Sequence, residues 1–150
     1  MAKLSWGKPI VEIAPSTAGA AGTVFTALPE IVENTALLTT TKGEKIEAKE
    51  EGGAVVDSKY KSNSYMFECE VYVKKGDEKP IADTDGIIEG DYTVRLTPED
   101  DTQAGFIIDV ARVSVEETWS SAIGKKWKYT FDALKPATGA ILKDYTKPAG

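Results

Sequence analysis

Few residues in this chain are of a type that could do chemistry, and their spacing limits what they could do. Asp83-Thr84-Asp85-Gly86 sets two carboxylates on alternate residues before a glycine, a string able to wrap Ca²⁺. The bidentate acid that an EF-hand loop needs six residues after its glycine is here Tyr92. Asp83 and Asp85 therefore read first as turn formers, with a cation site as the sharper alternative. Glu116 and Glu117 beside Trp119 suggest a glycosidase acid pair next to a sugar-stacking ring. Neighbouring residues on a strand point to opposite faces, so this pair cannot flank one glycosidic bond. Glu99-Asp100-Asp101 reads as a solvated acid cluster.

The chain has no histidine, which removes Ser-His-Asp and Cys-His catalysis and most zinc sites. Its one cysteine, Cys69, excludes an internal disulfide and fits a reducing compartment. Tyr65, Phe67, Val71 and Val73 alternate around it, so Cys69 is expected to be an inert core residue. Neither GxGxxG nor GxxxxGK[ST] occurs. No catalytic residue, cofactor or metal is expected, and the chain does not read as an enzyme.

The elements that would carry these residues are mostly strands. In the run Lys125–Leu134, Trp127, Tyr129, Phe131 and Ala133 alternate with Lys126, Lys128, Thr130 and Asp132. That period of two marks a strand with one buried and one wet face. Ser64–Val73 has the same pattern, and so has the stretch around Tyr92, Val94 and Leu96. Phe106–Glu117 changes character midway. Phe106, Ile107, Ile108 and Val110 are apolar on both faces and call for a cover, either a helix or another subunit. Shorter runs lie at Pro9–Ala14, Thr23–Leu28 and Ala36–Thr41. Thr97-Pro98-Glu99-Asp100 resembles a helix start, limited by Gly105 to about two turns.

Eight to ten strands with turn signals between them predict a mainly β chain: an antiparallel sandwich or barrel with at most one or two short helices. The 150 residues are expected to form one domain, burying roughly 70% of the unfolded surface. Two parts are expected to stand apart from its core. One is a flexible N-terminal segment of about residues 1–22, with the small-residue loop Pro15–Gly22. The other is an exposed hairpin arm of about residues 39–58, in which Lys42–Gly53 runs outward and Ala54–Tyr60 returns. The arm is either a solvated hairpin or an element that docks on a neighbour.

The net charge is −6 and the lysines are scattered, so no basic footprint for nucleic acid exists. No apolar run approaches the roughly 20 residues that span a bilayer, and the first residues lack the apolar stretch of a secretory signal.

Two blocks resemble a known family. Val113-Ser114-Val115-Glu116-Glu117-Thr118-Trp119-Ser120-Ser121-Ala122 followed by Lys126-Trp127-Lys128-Tyr129-Thr130-Phe131-Asp132-Ala133-Leu134-Lys135-Pro136 looks like the closing hairpin of phage tail tube (major tail) proteins. The arm Lys42–Gly53 with Ala54-Val55-Val56-Asp57 is also similar to theirs. The likeness covers about two thirds of the chain and rests on aromatic strand patterns. It implies a virion structural protein of a phage or prophage tail, a β-sandwich or barrel with a small helix. Such subunits form hexameric rings that stack into a hollow tube, with a long loop reaching the next ring, and other tail proteins are their further partners. DNA is then expected to pass unbound, repelled by an acidic lumen. On this reading Lys42, Glu44, Ile46, Glu47 and Lys49 of the arm, with Phe106, Ile108 and Val110, form the oligomer interface. The protein resides in the host cytoplasm before assembly and in the virion tail afterwards. A carbohydrate- or surface-binding β-sandwich, using exposed Trp and Tyr side chains, is the competing expectation.

Overall fold

The computed structural model describes residues 4, 6–17 and 19–148. Ten strands follow one another in the chain: β1 Ile10–Pro15, β2 Thr26–Ala27, β3 Leu37–Thr41, β4 Lys45–Lys49, β5 Val55–Tyr60, β6 Ser64–Tyr72, β7 Ile87–Thr97, β8 Gly105–Ser120, β9 Gly124–Ala133 and β10 Leu142–Tyr145. Among the described residues there is no helix.

Eight strands form one antiparallel sheet in the order β2-β1-β7-β8-β9-β6-β3, with β10 paired to β8; β4 and β5 form a separate two-stranded sheet. The two ends of this order, β2 and β3, are consecutive in the chain, and the short segment between them closes the sheet. On one side Leu28 N–H donates to the Val11 carbonyl at 2.8 Å. On the other, Val32 N–H donates to Glu70 and Tyr72 N–H to Glu30, at 2.8 and 3.1 Å. The result is a flattened antiparallel barrel, or sandwich, whose faces share strand β8. Gly105–Ile108 of β8 pair with β10, and Ala111–Ser120 pair with β9.

Alternation in the sequence becomes alternation in burial. Phe67, Cys69 and Val71 of β6 and Trp127, Tyr129 and Phe131 of β9 point inward. They meet Val11 and Ile13 of β1, Val94 of β7 and Ile108, Ala111, Val113 and Val115 of β8 in one core. Phe67 touches Phe106 edge to face and Phe131 at a tilt, with ring centroids 5.2 and 5.9 Å apart.

Four expectations change. The Thr97-Pro98 helix start does not form, because β7 runs through Thr97 and β8 begins at Gly105. The connection between them is too short for a nucleated helix, and Asp100 instead accepts the N–H and hydroxyl of Thr102, at 3.1 and 2.6 Å. The N-terminal segment of about 1–22 is not all loose: β1 is a core strand with Val11, Ile13 and Ala14 buried. The loop after β1 is pinned by a polar node on Asp109. Ser16 and Thr93 both donate hydroxyls to the Asp109 carbonyl, at 2.9 and 2.6 Å, and Gly22 N–H donates to Thr93 Oγ1 at 2.8 Å. Residues 1–3, 5 and 18 of that segment lie outside the described ones.

The third change concerns the doubly apolar run at 106–110: among the described residues no helix lies over it. β10 pairs alongside its start, Lys143 reaches Asp109 Oδ2 at 2.6 Å, the Ser16 hydroxyl of the loop after β1 donates to the Asp109 carbonyl, and Gly19 of that loop accepts Ala137 N–H at 2.8 Å. The fourth is a boundary. Residues 39–41 belong to β3 and pair with β6, and the return strand ends at Tyr60 as expected, so the arm begins after Thr41 and its two strands close at Lys45↔Tyr60.

Candidate functional site: an exposed arm and two poles

Because the barrel strands are antiparallel, its loops gather at two poles. At one lie the entry to β1, the connection from β7 to β8 and the root of the arm. At the other lie the tip of the β8–β9 hairpin and the loop before β7, while the loop after β1 and the exit from β9 meet between them, where Ala137 N–H donates to Gly19.

The arm is the largest feature that the core does not explain. Every residue of β4 and β5 is exposed. The two strands pair with each other, from Lys45↔Tyr60 to Lys49↔Val55, with a bulge beside Ala48 and Lys49. Its root is tight: a Cβ on Gly43 would stand 1.8 Å from the Lys61 carbonyl oxygen. Gly43 N–H donates to Asn63 Oδ1 at 3.0 Å, and Lys61 N–H donates to the Glu44 carbonyl at 2.8 Å. At the far end Gly52 and Gly53 take φ of 102° and 97°, the left-handed turn that side chains resist. Ile46, Val55, Val56 and Tyr60 nevertheless stand in solvent, Val56 at 63% exposure. A two-stranded hairpin without a further layer is marginal in water. Apolar side chains on such an arm gain their burial from something outside the chain.

The arm residues expected at an interface all lie on this surface. Lys42 sits over the Tyr60 ring at 4.6 Å, Lys45 pairs with Glu47 at 3.0 Å, and Lys61 pairs with Glu44 at 3.4 Å. Exposed pairs of this kind contribute little to stability. Ile46 and Lys49 complete the set. The three β8 residues do not join them. Ile108 and Val110 are buried in the chain's own core and Phe106 packs on Phe67, so their apolarity is accounted for within one subunit.

The chemical candidates resolve into structural roles. Asp83 accepts the Gly86 N–H at 2.8 Å and pairs with Lys79, while Asp85 adopts φ 51°. The Lys79 ammonium and then the Gly86 N–H hold the Asp83 carboxyl below its ordinary value of 3.8. This is turn chemistry with a lysine already in the place of a cation. Among the described residues no group of His, Cys, Asp and Glu is arranged to hold a metal ion. Glu117 accepts the Trp127 indole N–H at 2.9 Å and so anchors a core ring, whereas Glu116 pairs across the ladder with Lys128. Cys69 is fully buried; burial, aided by Glu68 and Glu70, pushes its thiol up to about 12. Tyr129, also buried, is pushed up to about 12 by burial; it donates its hydroxyl to the Ile81 carbonyl at 3.2 Å and accepts Ile81 N–H at 3.5 Å.

The three tryptophans form no common platform. Trp127 is in the core, Trp6 is at the pole of the arm root, and Trp119 is exposed at the opposite pole. Two features escaped sequence reasoning. One is a cavity of about 750 Å³ walled by Trp6, Pro9, Ile31, Ala36, Leu96 and Pro98. Its lining comes from three separate chain segments, which no local pattern links. The other is Ile123, exposed in the turn after β8, close in the chain to Trp119, the candidate stacking ring, which is exposed as well.

No protein-family model and no curated protein matches this chain.

Proposed function

We propose that this protein is a structural subunit that works by self-assembly, and specifically a phage or prophage tail tube protein. Its rings, hexameric in this reading, stack into a conduit through which DNA passes without specific binding. The observation that carries the proposal is the arm. It is a rigidly rooted hairpin with Ile46, Val55, Val56 and Tyr60 in solvent, projecting from a barrel whose own core is complete. A barrel whose apolar core is filled from its own strands gains nothing from such an element unless a neighbour buries it. The candidate acids that hold turns and rings, and a chain without histidine, agree with a role in assembly rather than catalysis. The net charge of −6 suits a conduit wall that repels DNA.

Negative-stain electron microscopy of the purified chain at increasing concentration tests this. The expected images are rings of uniform diameter and stacks of them. Particles the size of one barrel at every concentration contradict the proposal.

A further inference from the structure

Two segments far apart in the chain are fastened to the same two residues of β7 and β8. One is the loop after β1, residues 16–25, and the other is the C-terminal stretch, residues 137–145. Arg95 of β7 stands 3.6 Å from the centre of the Phe25 ring of the first and 4.8 Å from that of the Tyr145 ring of the second. Both Glu12 carboxylate oxygens accept from its guanidinium, at 3.1 and 3.2 Å, and this fork fixes the plane on which the rings lie. Asp109 of β8 accepts the Ser16 hydroxyl on its carbonyl at 2.9 Å and the Lys143 ammonium on its carboxylate at 2.6 Å. The segments also touch directly, through the 2.8 Å bond from Ala137 N–H to the Gly19 carbonyl.

We infer that the loop after β1 and the C-terminal strand form one clasp, pinned at Arg95 and Asp109, that opens as a unit while the rest of the barrel stays folded. Each segment is otherwise lightly held. The loop has the bond from Gly22 N–H to Thr93 and leads into β2, a strand of two residues. The C-terminal stretch has β10, a strand of four residues, and the partly buried Leu142. β9, by contrast, is ten residues long and paired on both sides. Short marginal ladders open before such a strand does. Sharing the anchors makes the opening joint. When the C-terminal strand leaves, Gly19 loses its partner and the buried Asp109 carboxylate loses its counter-charge, which is costly to leave unpaired. Arg95 loses one of its two rings at the same moment, so Phe25 is held on a looser guanidinium. When the loop leaves first, the same anchors slacken for Lys143 and Tyr145. Closed, the clasp covers the edge of β8 at Gly105–Ile108 with β10; open, it leaves that edge unpaired, as strand edges that add further strands are. The clasp belongs to one subunit and does not depend on self-assembly.

Hydrogen exchange of the dilute full-length chain, read amide by amide, tests the clasp. Phe25→Ala and Tyr145→Ala each take one ring from Arg95, and each belongs to only one of the segments. Either variant is expected to speed exchange on both segments, at the Gly22 amide and at the β10 amides that bond to β8. The factor should be about threefold to thirtyfold, as the loss of one cation–ring contact implies, and similar in the two places. The Phe131 amide, in the middle of β9, should keep the parent rate. If Phe25→Ala acts only at Gly22 and Tyr145→Ala only at β10, the segments open independently and the clasp is overturned. An equal rise at Phe131 overturns it too, since the whole barrel then loosens, and so does an unchanged rate at both places. Should a ring variant fail to fold, Ser16→Ala and Lys143→Gln repeat the test through Asp109. Each is read on the segment to which it does not belong: faster exchange there supports the clasp, and the parent rate there overturns it.

Discussion

Phe67 on β6 and Phe106 on β8 meet edge to face with ring centroids 5.2 Å apart, although β9 lies between their strands in the sheet. The contact therefore crosses the interior, and it ties the doubly apolar start of β8 to the opposite face of the barrel. Truncating Phe106 removes that contact and leaves a void on Phe67. Phe106→Ala should destabilise the monomer by an amount near the low end of the ~3–5 kcal/mol typical of buried Phe→Ala, because Phe106 is only partly buried. Urea denaturation of a dilute monomeric sample measures it. A variant as stable as the parent but unable to assemble would return Phe106 to the interface.

Tyr129 and Ile81 are joined by two hydrogen bonds between the core phenol and one backbone unit. Ile81 is itself buried, so it plugs the barrel at the hairpin-tip pole. Tyr129→Phe keeps the ring and leaves a buried N–H and C=O without that partner, at a cost of about 1–3 kcal/mol. Hydrogen exchange at the Ile81 amide should speed up in the variant by more than at Phe131. Equal changes at both amides would mean that the plug has no local role.

Asp83 is held ionised by Lys79 and the Gly86 amide. Its carboxyl titrates below 3.8 in the folded chain, so its contribution to stability is complete above 3.8 and is lost as pH falls through the lower folded value. Asp83→Asn should melt below the parent at pH 7, and the two melting temperatures should converge in the acid range beneath pH 3.8. A gap that stays constant from pH 7 to pH 2 contradicts the assignment.

Cys69 and Tyr129 act at the other end of the pH scale. Both are pushed up to about 12, from 9.0 and 10.0. Raised values favour the neutral groups in the fold, so their contribution is complete below pH 9 and is lost as pH rises towards 12. Stability should fall across that window, and Cys69→Ala should soften the fall. The thiol should also react with a maleimide only on unfolding; rapid labelling of the native chain at pH 7 would show that the barrel opens at β6.

Much of the barrel was legible in the sequence because its strands announce themselves locally. Phe67, Cys69 and Val71, and Trp127, Tyr129 and Phe131, alternate with polar neighbours, and each set is buried as its period demands. The arm was legible too, since Gly43, Gly52 and Gly53 punctuate an otherwise regular pair of strands. What covers Phe106–Val110 was not. The segments found beside it, β10 pairing with its start and the loop after β1 bonded to Asp109, are distant in sequence and carry no pattern of their own. The Thr97-Pro98 signal misled because a residue suited to capping a helix can equally end a strand when the sheet claims it. The cavity beside Trp6 exists only once three segments converge, so no window of sequence contains it.

The central claim is that the exposed arm assembles the protein. Sedimentation velocity over a wide concentration range tests it most directly, comparing the full chain with one in which residues 44–61 are replaced by two glycines between Gly43 and Ser62. The account predicts large, discrete, concentration-dependent species for the full chain, and a folded variant that assembles at least tenfold more weakly. A full chain that sediments as a monomer throughout, or a variant that assembles as well as the parent, contradicts it.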